Sequence, residues 1–154
     1  MTTSIAPSYR ALFRVLFVIF VVLPFLVSCA SSEVRAARSG DIDGIRQFIE
    51  EGGDINAPQR GGRTLLHVTV ENNEPRATRF LINEGAFVDA RDSAGRTPLM
   101  VASSRGFTDL ANTLLNAGAA IDITDRGGAS ALMFAVDSGH AAVFSLLLDA
   151  GADI

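Results

Sequence analysis

Apolar residues recur along this chain at a fixed step. Leu66, Leu99 and Leu132 stand 33 residues apart, and so do Ile49, Ile82, Leu115 and Leu148, and Ile55, Val88, Ile121 and Ile154. Gly40, Asn73, Gly106 and Gly139 fall on one phase of the same period, Gly62, Gly95 and Gly128 on a second, and Gly52, Gly85, Gly118 and Gly151 on a third. A period of that length, held at so many phases, marks a stack of repeated units, each burying its apolar face against its neighbours.

Each unit can be read physically around residues 95–118. Thr97 supplies an N-cap oxygen and Pro98 sits at the first helical position, where its missing N–H costs nothing, so a short helix starts there. Gly106 ends it. A second helix over Thr108–Asn116 carries Leu110, Leu114 and Leu115 on one face, and Gly118 closes it in the left-handed geometry that glycine adopts without strain. Residues 119–128 form a loop to the next unit. The expected unit is helix, turn, helix, loop, with small Ala102 and Ala135 where helices approach closely.

Gly-x-Thr-Pro-Leu-x-x-Ala from Gly95 to Ala102, then Gly106, then Leu-Leu-x-x-Gly-Ala from Leu114 to Ala119, resembles the ankyrin repeat, in four phased copies over residues ~31–154. The resemblance implies an all-α fold, an ankyrin-repeat solenoid of about four helix-turn-helix units joined by hairpin-like loops, with repeats at 33–57, 58–90, 91–123 and 124–154. Leu65 and Ala131 replace the proline of the pattern, Met100 and Met133 replace the histidine that His67 retains, and Asn73 replaces a turn glycine. In the family that histidine makes hydrogen bonds between neighbouring loops, which is the role implied for His67. Partners of such stacks bind along the loop tips and the exposed side of the first helices.

Residues 1–28 stand apart from the repeats. Arg10 and Arg14 precede an apolar run of 13 residues, 15–27. That is short for a bilayer-spanning helix, which needs about 20, and suits a signal-peptide core. The run closes at Leu26-Val27-Ser28-Cys29, which resembles the lipobox of bacterial lipoproteins and implies cleavage before Cys29 and lipidation of its sulfur. An uncleaved membrane anchor is the alternative. Several acyl chains at one site would hold the protein stably, since a single chain binds only marginally. Residues 29–32 would be a short lipidated tether, and Ala30 after the cysteine is similar to the pattern sorted to the outer rather than the inner membrane. The expected location is the periplasmic side.

The 48% hydrophobic content suffices for a core. Cys29 is the sole cysteine, which excludes an internal disulfide. All 13 basic residues are arginines; without Arg10 and Arg14, 11 remain against 17 acids, a net charge of −6 after Cys29. That sign argues against a nucleic-acid partner.

The first repeat is expected to be a cap. Its first helix, around residues 32–39, carries Glu33 where later repeats have Leu66, Leu99 and Leu132, and terminal repeats need a polar outer side. Arg35, Arg38 and Asp41 add to it. In its second helix, residues 42–50, Ile45, Phe48 and Ile49 are expected to face inward. At the other end the apolar helix of Val143, Phe144, Leu146, Leu147 and Leu148 is followed by no polar cap, so self-association through the C-terminal repeat is expected.

No catalytic constellation, metal site or cofactor site can be written. His67 and His140 are the only histidines, and His140, after a turn glycine, is expected at the surface. Ser103-Ser104 lies at a helix end rather than on a strand-to-helix elbow. Gly61-Gly62 and Gly127-Gly128 lack the spacing and lysine of a phosphate loop and are read as loop-tip turns. Asp92 and Asp125 recur with the period, as turn-forming residues.

What remains is a surface. At the loop tips it comprises Arg60, Arg63, Ser93, Arg96, Arg126 and Ala129; at the first-helix ends, Arg38, Glu71, Asn72, Ser104, Arg105, Asp137 and Ser138. Six of the 11 arginines after Cys29 fall on it against two acids, while Asp43, Glu50, Glu51, Glu74, Glu84, Asp109 and Asp149 lie opposite. The pattern suits an acidic protein partner; the alternative is that arginine keeps exposed loops soluble. The expectation is a lipid-anchored, non-enzymatic module for protein–protein interaction, with a fragment of a longer repeat protein or an accessory factor of a periplasmic enzyme as alternatives.

Overall fold

The computed structural model describes residues 32–153. The expected signal peptide, Cys29 and most of the tether lie outside the described residues, as does Ile154. Among the described residues the regular structure is helical, apart from one 3-10 turn at Arg60–Gly62 and one isolated bridge between Thr124 and Ser130. The helices come in pairs: α1 (residues 32–39) with α2 (Ile42–Glu50), α3 (Leu65–Glu71) with α4 (Pro75–Asn83), α5 (Pro98–Arg105) with α6 (Thr108–Asn116), and α7 (Ala131–Asp137) with α8 (Ala141–Asp149). Helices α3, α5 and α7 pack side by side in an inner layer, and α2, α4, α6 and α8 in an outer one.

Within each pair the chain reverses through one left-handed residue. Gly106 has φ 73°, and the N–H of Phe107 then donates to the carbonyl of Ala102 at 3.0 Å. The same bond closes the turns from Asp41 to Ala36, Glu74 to Thr69 and His140 to Ala135, each at 2.9 Å. Asn73 holds the glycine position with φ 56°, a conformation its short polar side chain tolerates better than most.

The core runs between the layers as fully buried Ile45, Leu65, Leu66, Leu81, Leu99, Leu110, Leu114, Val143 and Leu147. Ala102 and Ala135 are completely buried, as close packing between neighbouring helices requires. Phe48 and Ile49 are half-buried against this core.

Repeats are tied together at both ends of the helices. On the side following the outer helices, Asn56 Oδ1 accepts from Phe87 N–H at 2.8 Å, Asp89 from Ala120 N–H at 3.0 Å, and Asp122 from Asp153 N–H at 3.1 Å. At the hairpin tips, Ser93 N–H donates to Gly61 O at 2.8 Å and Arg126 N–H to Ala94 O at 2.9 Å. Gly62 must be glycine for that approach, since a Cβ there would stand 2.7 Å from the Ser93 nitrogen.

Two expectations are corrected. Glu33 is not on the polar outer side of the cap: it is buried, and its Oε2 has no hydrogen-bond partner among the described residues. Residues 33, 36 and 37 share one helical face, and Ala36 and Ala37 on that face are buried too. The polar outer position is instead Arg35, exposed at the phase where later repeats carry Val68, Val101 and Phe134. Nor is His140 fully exposed: it is half-buried. Its ring packs over Gly106, where a Cβ would stand 2.6 Å from Nδ1, and its Nε2 lies 3.2 Å from the Ser104 carbonyl oxygen.

Candidate functional site

Each hairpin tip is built the same way. Gln59 N–H donates to Arg63 O at 2.7 Å, Asp92 N–H to Arg96 O at 3.0 Å, and Asp125 N–H to Ala129 O at 3.0 Å. Asp92 Oδ1 accepts the N–H groups of Ala94 and Arg96, each at 2.9 Å, and Asp125 Oδ1 those of Gly127 and Ala129 at 2.8 and 2.9 Å. These aspartates are the turn-formers the sequence suggests. Burial works to raise the pKa of Asp92, but the backbone and side-chain hydrogen bonds of Arg96, the Ala94 N–H and the Arg96 charge outweigh it, so the carboxyl titrates below its ordinary range.

His67 joins two tips. Its Nδ1 accepts from Thr64 N–H at 3.2 Å, which leaves Nε2–H to donate to Arg96 O at 3.0 Å. The first bond needs the neutral ring, whereas Nε2–H can donate in either protonation state; burial lowers the pKa of His67. In the next repeat the Met100 sulfur takes the Thr97 N–H at 3.4 Å, but a thioether has no donor to send onward.

The six arginines of the expected surface divide into two groups. Arg96 is bound to Asp92 through Nε at 3.0 Å and Nη2 at 2.8 Å. Arg63 and Arg105 both reach Glu71: Arg63 Nη1 pairs with Glu71 Oε2, and Arg105 Nη2 lies 3.3 Å from Oε1. Glu71, expected as part of the partner-binding surface, therefore bridges repeats two and three. Arg38, Arg60 and Arg126 are exposed and enter no ion pair among the described residues. Ser93, Asn72, Asp137 and Ser138 are exposed on the same set of loop tips and inner-helix ends, and Ser104 is half-buried.

Nothing here is arranged as a nucleophile. Ser103 and Ser104 hydroxyls donate back to the carbonyls of Leu99 and Val101 at 2.8 and 3.0 Å. Among the described residues no three His, Cys, Asp or Glu side chains gather as metal ligands. A shallow open groove of about 420 Å³ lies on the outer layer, between Asn112, Leu115, Leu146 and Asp149.

The model of the ankyrin-repeat family, "Ankyrin repeats (3 copies)", matches residues 34–125 and 95–154. The chain is an ankyrin-repeat protein. A segment of 47 residues is also 40% identical to the ankyrin repeat domain-containing protein oryK of Aspergillus oryzae; the match covers 30% of this chain and 8% of that protein. Ankyrin repeats are modules of protein–protein interaction, so the surface to examine is the one formed by the hairpin tips and inner-helix ends. No helix among the described residues is long and apolar enough to cross a membrane.

Proposed function

We propose that this ankyrin-repeat protein is a lipid-anchored binding module for an acidic protein partner, working on the periplasmic side of a bacterial membrane, with the outer membrane favoured. The observation that carries the binding surface is the concentration of arginine on one side: among the described residues exposed Arg38, Arg60 and Arg126 hold no acid, and Arg63 and Arg105 share one. Such a surface steers an acidic partner and suppresses basic ones, and exposed charge pairs weaken with salt. Arg96 serves the fold rather than the partner, since its guanidinium is committed to Asp92. No enzymatic step is assigned.

The test is retention of a partner from membrane extract by the wild-type chain and by the Arg60→Glu, Arg126→Glu double variant. Loss of retention at low salt supports the reading; undiminished retention places the partner elsewhere.

The anchor rests on Leu26-Val27-Ser28-Cys29 closing an apolar run of 13 residues. Fatty-acid labelling of wild type and Cys29→Ser decides it: label confined to wild type supports lipidation, and equal label in both contradicts it. Exposed Met133 and Val136 on α7 are the proposed route of self-association.

A further inference from the structure

Arg63 and Arg96 occupy the same position of successive repeats yet hold different acids, and the reason lies four residues upstream. Arg96 follows Asp92, whose side chain is 2% exposed and already fixed by two backbone N–H groups, so the guanidinium folds back onto its own loop. Arg63 follows Gln59, which offers no carboxylate. Its guanidinium therefore crosses to Glu71 at the end of α3, where Arg105 of the next repeat arrives from the other side. Side-chain exposure there is 34% for Arg63, 31% for Glu71 and 52% for Arg105.

We propose that Glu71 is a placeholder: Arg63 and Arg105 form a two-arginine seat for an Asp or Glu side chain of an acidic peptide segment, and Glu71 holds the seat until that side chain displaces it. This rests on the arginine face being the binding surface. Two positive groups share one carboxylate, so the seat keeps a net positive charge after Glu71 is counted. Each guanidinium has five N–H donors and gives one hydrogen bond to Glu71, leaving donors for an incoming carboxylate. Glu71 is open enough to solvent for its carboxylate to leave, and ion pairs near the surface contribute little net stability, so exchanging an internal acid for an external one costs the fold little. One repeat back on the same phase stands exposed Arg38, and one repeat forward Ser104, so no second carboxylate of that row flanks the seat. The locked Asp92–Arg96 pair offers no such exchange, because Asp92 is buried.

Titration of fluorescent octaglutamate against the full chain in nonionic detergent, at low salt and read by anisotropy, tests the seat. Glu71→Gln should bind the peptide about tenfold more tightly than wild type. Asp137→Asn, the same charge change at the same phase two repeats on, should leave binding within about twofold of wild type. Adding Arg63→Gln and Arg105→Gln to Glu71→Gln should remove the gain. Glu71→Ala, which leaves no acceptor at all, should repeat the gain, and thermal melts confirm that each variant is folded. If Glu71→Gln and Asp137→Asn tighten binding equally, or Glu71→Gln does not tighten it, the seat is wrong; loss of binding in Arg60→Gln, Arg126→Gln then shows that the arginine face survives without it. If no variant and not the wild type binds octaglutamate, the acidic-partner reading falls as well.

Discussion

His67 Nε2 lies 3.0 Å from the carbonyl oxygen of Arg96, 29 residues further along the chain. That bond fastens the tip of repeat three to the inner helix of repeat two, while Nδ1 receives Thr64 N–H, a bond that protonation of the ring breaks. Burial holds the pKa of His67 below 6.5. The unfolded chain therefore binds this proton first as pH falls, and the His67 contribution is full above about 6.5 and shrinks below it. Asp92 acts in the same direction at lower pH, its depressed pKa giving stability that is lost below about 3.8.

The natural substitute stands one repeat on, as Met100. His67→Met should cost about 1 kcal/mol at pH 7.5 for the lost inter-loop hydrogen bond. The cost should shrink towards pH 5.5, where wild type has lost part of its own advantage. Urea melts of both proteins at the two pH values measure this; a difference that does not change with pH would show that His67 does not titrate as argued.

Glu33 sits buried at the phase of Leu66, Leu99 and Leu132 with one oxygen unpartnered among the described residues. A buried polar atom without a partner is costly, and leucine suits the position in every other repeat. Glu33→Leu should stabilise the domain by about 1–2 kcal/mol, read as a higher urea midpoint at unchanged slope. A lower midpoint would mean that the carboxylate is satisfied in solution.

Arg96 and Arg126 stand at equivalent loop tips, three residues out of register, and differ in what they hold. Arg96→Ala leaves a buried carboxylate without its cation and should cost about 1–3 kcal/mol. Arg126→Ala touches an exposed side chain with no ion pair among the described residues and should fall within about 0.5 kcal/mol of wild type. Thermal melts of the two variants separate them, and equal losses would contradict the division of the arginines into fold and surface.

Met133 and Val136 are exposed on α7, while their counterparts His67, Val70, Met100 and Ser103 in earlier repeats are buried under the following unit. Residues 30–154 should associate through this side at micromolar concentration, and Val136→Glu should return them to monomer. Charged side chains after Arg126 are limited to Asp137, Asp149 and Asp153, so salt should strengthen the association by screening their repulsion. Sedimentation at two salt concentrations checks this; a clean wild-type monomer at both would contradict it.

The 33-residue period made nearly all of the fold legible in the sequence. Thr97-Pro98, Gly106 and Gly118 mark helix ends through local chemistry that any single unit contains, and α2 and α6 lie where capping and periodicity put them. What the period could not convey is direction around a short helix at the edge of the stack. Glu33 and Arg35 are both polar, and which of them faces the core depends on how α1 meets repeat two. The site was legible as a list of positions but not as a network. Whether an arginine at the phase of Arg63 and Arg96 is spent on its own loop depends on Asp92 or Gln59 four residues earlier, and the bridge from Arg105 to Glu71 joins residues 34 apart. The family pattern puts those positions on the binding surface but does not say which of them pair, so only the structure connects them.

The central claim is that the partner lies against the hairpin tips and inner-helix ends. It is tested most directly by placing a photo-crosslinking amino acid at Ser104 on the inner layer, or at Asn112 on the outer layer, of the full chain in living cells. A covalent adduct to another protein from position 104 and none from position 112 is the predicted result. An adduct from position 112 and none from position 104 would contradict the account.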